Sequence, residues 1–372
     1  MSRNLARIAF LAGAMVVVSA LAPALANAAI DPATIDPAAA IPTGPEVRTG
    51  KLANGLTYYI RQNKQPAHRL ELRLVVKAGS ILEDDDQLGL AHFVEHMAFN
   101  GSTHFKGHEV VSYLQSLGMR RGADLNAYTS FDETWYLLPV PTERREDVDK
   151  GFTILEDWAH GLAFDEADID KERGVILEES RLHKGAGERV SRALMPKLLN
   201  GSRYAERLAI GKDELIRTFK PDALRRFYRD WYRPDLMAVI AVGDVESDEL
   251  ERQIRAHFGP LQNPAYARPR TWAAIRPREG SEGLVVTDPE LQVNTVSLYY
   301  PVHQAAAVGT FGGYRDKLLQ SLFETMLAQR LAELAQQPSP PYLAASSGLA
   351  QMTSRYRAYV ARATLGAGGS AP

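Results

Sequence analysis

The sequence predicts an α+β fold in which helices pack on a mixed, largely antiparallel sheet, and three features carry that prediction. Two stretches, "LANGLTYYIRQ" (52–62) and "HRLELRLVVKAGS" (68–80), carry β-branched and aromatic residues around an Asn-Gly turn and read as strands. "LMAVIAVGDV" (236–245) is apolar almost throughout, as a strand buried on both faces must be. Between them lie several runs with helical periodicity, and strands interleaved with amphipathic helices settle most simply as a sheet with helices packed on it.

The elements follow in order. Residues 1–28, "MSRNLARIAFLAGAMVVVSALAPALANA", combine two arginines, an apolar stretch and a terminal Ala26-Asn27-Ala28, the pattern of an export signal cleaved before Ala29. Pro23, the small-residue site and the absence of a basic cluster afterwards favour cleavage over retention as a membrane anchor, so a periplasmic location is expected. A Pro/Ala-rich linker spans 29–46. After the strand pair comes "GLAHFVEHMAFN" (89–100), read as a helix, and a second helix runs from about 107 to 117. "DLNAYTSFDETWYLLPV" (124–140) reads as two strands joined through Ser-Phe-Asp. Helices are expected over 142–161, 165–198 and 221–232, and "SDELERQIRAHFG" (247–259) has a serine where a cap belongs and a glycine at its end. This gives a first domain over 47–260. A Pro/Arg-rich linker follows at 261–280, and a second domain opens at 281. There "EGLVVTDPELQVNTVSLYYPV" (282–302) echoes the first strand pair, and the helix expected over 314–337 contains no histidine. "PPYLAASSGL" (340–349) and "SRYRAYVARATLG" (354–366) read as further strands.

Composition narrows the chemistry. The 372 residues are 45% hydrophobic, enough for two globular units, and the formal charge of −2 gives no reason to expect nucleic acid or an anionic membrane as partner. There is no cysteine, which excludes disulfides, thiolate metal sites and cysteine nucleophiles.

The chemistry therefore rests on His92, Glu95 and His96. On a helix, positions i, i+3 and i+4 share a face, so these three project together while Phe93, Val94 and Met97 pack inward. Two imidazoles one turn apart can seat Zn²⁺, and a carboxylate beside them can take a proton from a water during hydrolysis. A catalytic zinc wants a third protein ligand. In "DKERGVILEESRLHK" (170–184), Glu172 and Glu179 are seven apart and lie within about 20° on a helical wheel, on a stripe with Val175, Ile176 and Leu182. Glu178 points roughly 100° away. His183 shares the stripe and stays a rival third ligand on residue geometry alone.

"HFVEH" (92–96), "NAYTSFDETWYLLPV" (126–140) and "ERGVILEE" (172–179) together resemble the pitrilysin/insulinase-type inverzincin metallopeptidases (M16), which include the mitochondrial processing peptidases. The resemblance implies tandem metallopeptidase-like domains, the second one here incomplete and non-catalytic. It implies one Zn²⁺ per chain held by His92, His96 and Glu179, with Glu95 as general base and Glu172 as a carboxylate behind the ligands. It also places Asn126, Ala127 and Thr129 on an edge strand that pairs with the substrate backbone. Phe99 and Asn100 are expected to line the site. The activity implied is a zinc endopeptidase acting on short or unfolded peptides. The alternative is a non-catalytic scaffold or peptide-binding subunit, which the intact His92, Glu95, His96 and Glu179 argue against. Members of this kind draw an Arg and a Tyr from a second half, so the expectation is a fragment of a longer protein, or a chain completed by a complementary metallopeptidase-like chain.

Overall fold

The computed structural model describes residues 35–119, 126–302 and 309–366. The expected export signal and the first residues of the linker lie outside these. The first unit contains strands β1 (Arg48–Lys51), β2 (Thr57–Gln62), β3 (Arg69–Val76), β4 (Asn126–Thr129), β5 (Thr134–Pro141) and β6 (Met237–Gly243). Its helices are α1 (Leu90–Met97), α2 (Glu109–Ser116), α3 (Arg145–His160), α4 (Glu166–His183), α5 (Ala186–Leu198), α6 (Asp213–Thr218), α7 (Pro221–Trp231) and α8 (Ser247–Phe258).

The six strands form one sheet in the order β1-β2-β6-β3-β5-β4. Only the β2–β6 pairing is parallel, so the sheet is mixed as the sequence predicts. Alternation sets its faces: Leu70, Leu72 and Leu74 of β3, Tyr136 and Leu138 of β5, and Val239 and Ala241 of β6 are fully buried. Helices α3 and α8 lie across β2, β3 and β5. At Gly151 of α3 a Cβ would come 2.8 Å from Val140 Cγ2, so a glycine lets the helix approach the sheet closely. β4 ends the sheet, and among the described residues no strand pairs with its outer edge.

Several boundaries differ from the sequence reading. The helix expected over 165–198 is two helices that part at Lys184 and Gly185. Ser247 is the first helical residue of α8 and provides no side-chain cap. β1 was not foreseen: "RTGK" has little strand character of its own and is held by antiparallel pairing with β2 across the Leu52–Leu56 turn.

The second unit holds β7 (Asn294–Val302), α9 (Phe311–Ala335), β8 (Ala344–Thr353) and β9 (Tyr356–Leu365), with the strands antiparallel in the order β7-β9-β8. The echo of the opening strand pair is only half realised. Residues 282–293 form no strand, and Val285 is 88% exposed. α9 buries none of its residues; Leu318, Leu322, Phe323 and Met326 are exposed, as are Val296, Leu298 and Tyr300 of β7. Among the described residues no helix is long and apolar enough to cross a membrane.

Candidate metal centre

The site begins with the way α1 starts. Gly89 sits at φ +100°, a left-handed conformation open to glycine, and a Cβ there would meet Ile216 Cδ1 at 2.8 Å. The amide groups that α1 leaves unpaired at its N-terminus are taken by Glu83, whose Oε1 accepts from Gly89 N at 3.1 Å and Ala91 N at 2.8 Å. Burial pushes the Glu83 carboxyl up to about 8, against the lowering effect of those same amides. Glu83→Ala is expected to lower the unfolding free energy by about 1–3 kcal/mol, because it strands buried donors at the end of the helix that carries the site. Urea denaturation followed by circular dichroism reads the change, and a shift within about 0.5 kcal/mol, the range of ordinary surface substitutions, would show that Glu83 does not hold the helix.

Along α1, Phe93, Val94 and Met97 are buried in the core, and His92, Glu95 and His96 share the opposite face. α4 packs against that face. His96 Nε2 lies 3.4 Å and His92 Nε2 3.8 Å from the same Glu179 oxygen, Oε2. The three ligand atoms lie within 4.8 Å of one another. His96 Nδ1 meets Glu172 Oε1 at 2.7 Å, and Glu172 Oε2 accepts from Asn100 Nδ2 at 2.8 Å. Asn100 also donates to the carbonyl of His96 at 3.1 Å. A buried Asn-Glu-His relay thus fixes the His96 ring with Nε2 aimed at Glu179. Glu95 Oε2 accepts from Thr129 Oγ1 at 2.6 Å.

Of the other sequence-expected residues, Glu178 points outward and pairs with Arg181 at 2.6 Å. The stripe on α4 is narrower than expected: Ile169, Glu172, Ile176 and Ser180 are buried, whereas Val175 and Leu182 face solvent. His183 is exposed and its Nδ1 bonds the Glu179 carbonyl oxygen at 2.9 Å, outside the cluster of three. It does line, with His92, Glu179, Ser180, Glu188, Arg192 and Ile210, a cavity of about 270 Å³ beside that cluster. Phe99 is half-buried, with its ring edge-on to Trp158 of the core. Asn100 is buried behind Glu172. Asn126, Ala127 and Thr129 all lie on edge strand β4, but the Thr129 hydroxyl is committed to Glu95. That contact joins an edge strand to a helix, and no spacing rule in the sequence signals it.

The electrostatics suit a metal. Burial, together with the neighbouring His96, lowers His92 to about 4, so its imidazole is neutral at pH 7. Burial would lower His96 too, but hydrogen bonds to Glu172 and Glu179 outweigh it and hold the ring up at about 9. The Glu179 carboxyl is lowered, first by its hydrogen bond to His96. Burial raises Glu95 to about 7, against the Thr129 hydrogen bond and the His96 charge. Two imidazole nitrogens and one carboxylate oxygen that converge beside a cavity fit Zn²⁺ with one position left open. Metal binding must expel the Nε2 proton of His96, so zinc affinity should rise about tenfold per pH unit between pH 6 and 8 and level off near the His96 value. Competition against a chromophoric chelator measures this, and a flat profile would show that the His96 ring is already neutral across this range before the metal binds.

Comparison with known proteins places this geometry in a family. Residues 58–209 match the insulinase (peptidase family M16) profile, and residues 218–368 match the peptidase M16 inactive domain. β6 falls inside the second match yet lies between β2 and β3 in the first sheet. The chain is 37% identical over 300 residues to the probable zinc protease PqqL of Escherichia coli (strain K12), an alignment covering 79% of this chain and 32% of that protein. It is 34% identical over 309 residues to the zinc protease PQQL-like of Arabidopsis thaliana, covering 83% and 32% respectively. The crystal structure of the first half of the periplasmic protease PqqL from Escherichia coli superposes with a TM-score of 0.79 at 33% identity, covering 88% of this chain and 70% of that one. The chain spans about a third of the length of the curated relatives it matches. Pitrilysin, at 19% identity and a TM-score of 0.67, shares the fold. The two profile matches, which run from residue 58 to residue 368, and the similarity to the solved half of PqqL establish that this chain belongs to the insulinase family of peptidases, M16.

Proposed function

We propose that this chain carries the catalytic domain of a zinc-dependent endopeptidase that hydrolyses short or unfolded peptides. The single observation behind the proposal is the convergence of His92, His96 and Glu179 on one point, with Glu95 on the same helix face and its carboxylate already oriented by Thr129. When bound, zinc supplies a Lewis acid that makes water more acidic and polarises a carbonyl. His92 and His96 would hold it through Nε2 and Glu179 through its carboxylate, and Glu172 fixes the ring plane of His96. Thr129 occupies Glu95 Oε2, and the carboxylate accepts the proton of the attacking water and then passes it to the leaving amine. The outer edge of β4 offers backbone groups at Asn126 and Ala127 to an extended peptide.

In this reading residues 47–260 form the catalytic domain and 281–372 open a second, non-catalytic one. The remaining donors for the developing oxyanion come from further chain of the kind the longer relatives possess, or from a complementary chain. Export to the periplasm through residues 1–28 accords with the periplasmic PqqL relative. The test is whether purified full chain binds one zinc and cleaves a quenched fluorescent peptide, with cleavage abolished by chelator and restored by zinc. Cleavage indifferent to the chelator would refute the metal mechanism. Stoichiometric zinc without any cleavage, even after a longer chain or a complementary one is supplied, would favour the scaffold reading.

A further inference from the structure

We propose that Asp132 is a positioning residue that ties the β8–β9 turn of the second unit to the strand presenting Thr129 to Glu95; the proposal rests on Glu95 being the proton acceptor.

Asp132 sits in the turn between β4 and β5 and is 3% exposed. Its Oδ1 accepts from Tyr204 Oη at 2.9 Å and from Arg270 Nη2 at 3.3 Å. Its Oδ2 accepts from the backbone N of Ser354 at 3.1 Å and from the Ser354 hydroxyl. The side chain of Arg270 is largely covered and donates again to the Asp132 carbonyl at 3.1 Å and to the Lys77 carbonyl at 3.3 Å. A buried carboxylate is costly unless its lone pairs are filled, and here they are filled from three directions: the first unit, the connecting segment and the second unit.

The same place is where the second unit grips the first. Tyr356 belongs to the buried core that runs through the first unit, and its hydroxyl donates to the Leu198 carbonyl at 3.2 Å. The guanidinium groups of Arg270 and Arg355 both lie against the Trp272 ring, at 3.4 and 4.0 Å from its centroid. Elsewhere the units meet through surface ion pairs, Arg189 with Asp288 and Glu290 and Lys197 with Glu282, and α9 buries no residue. Among the described residues the buried ones of the second unit, Thr353, Tyr356 and Ala358, all lie at the hairpin tip.

The route from this tip to Glu95 is short. In the β4–β5 turn the carbonyls of Ser130 and Phe131 accept from Ser80 N at 3.1 Å and Ile81 N at 2.9 Å. The turn lies so close to Gly79 that a Cβ there would come 2.3 Å from Ser130 O. One side of the turn is thus fixed by the segment after β3, and the other by Asp132. Thr129 is the residue before the turn, and its 2.6 Å bond to Glu95 weakens with any displacement of the strand end. A second unit docked through Ser354 therefore holds the hydroxyl that orients Glu95.

The test uses the full chain loaded with zinc, and three variants: Asp132→Asn, Ser354→Ala and Thr129→Val. Asp132→Asn should keep stoichiometric zinc and speed amide exchange at residues 126–134 and 353–357 while leaving α3 and α8 protected. It should also lower kcat by about 2- to 30-fold with KM little changed. In the Thr129→Val background that loss should vanish, because the route it travels is already cut. Ser354→Ala removes only a hydroxyl of the second unit and should reproduce the exchange pattern, which keeps the test valid if Asp132→Asn folds poorly. Unchanged exchange at 126–134 in Ser354→Ala, or losses from Asp132→Asn and Thr129→Val that simply multiply, would overturn the proposal. If the zinc-loaded chain cleaves no peptide, the endopeptidase reading is what fails, and the exchange experiment still decides whether the two segments are joined.

Discussion

Glu95→Gln is expected to retain one equivalent of zinc and to lose peptide hydrolysis by about 10²–10⁴-fold, the usual worth of a positioned general base. The two effects separate because Glu95 is not in the converging set of His92, His96 and Glu179, although it shares their helix face. Glutamine has the same shape and its amide oxygen still accepts from Thr129, so the fold and the metal ligands are undisturbed. What it cannot do is take a proton. Burial holds the Glu95 carboxyl up at about 7 in the metal-free protein, which makes it a stronger base than an exposed glutamate. Metal analysis beside initial rates on a quenched fluorescent peptide measures both halves of the prediction. Activity within tenfold of the parent would remove Glu95 from its role, and loss of zinc would make it a ligand.

The second large effect is expected at the third ligand. Glu179→Gln should weaken zinc binding by more than about 100-fold, beyond the 10–100-fold typical of groups that act from behind the ligands. Glu172→Gln belongs in that intermediate class, because Glu172 touches His96 Nδ1 and Asn100 and is not one of the three converging groups. Glu178→Gln should bind zinc as the parent does, since its carboxylate is paired with Arg181 on the solvent side. Zinc titration of the three variants gives the ranking. Parental affinity in Glu179→Gln, with the loss appearing in His183→Ala instead, would hand the third position to His183.

These comparisons also show which parts of the site a sequence can disclose. The face shared by His92, Glu95 and His96 was legible because a helix fixes the angle between its residues, and the same periodicity separated Glu179 from Glu178. The stripe failed at Val175 and Leu182, which a helical wheel places inward but which no described element of the fold covers. Local periodicity says which residues share a face, not how far the opposing surface extends. The mixed sheet was legible from runs of β-branched residues, whereas β1 was not, because its stability comes from β2. Contacts between distant segments left no trace. Thr129 meets Glu95 across 34 positions and Asp132 meets Ser354 across 222, and both depend on the finished topology. Glu83 was passed over because its value lies in two backbone amides of α1, which no side-chain pattern reveals.

The position of the metal decides which side chains are its ligands. Diffraction from crystals of the zinc-loaded chain, recorded on both sides of the zinc absorption edge, locates the ion directly. The predicted result is a single strong anomalous peak about 2.0–2.2 Å from His92 Nε2, His96 Nε2 and a Glu179 oxygen, with Glu95 near the ion but not bound to it. A peak bound by Glu95 or by His183 in place of Glu179, or located away from α1 altogether, would contradict it.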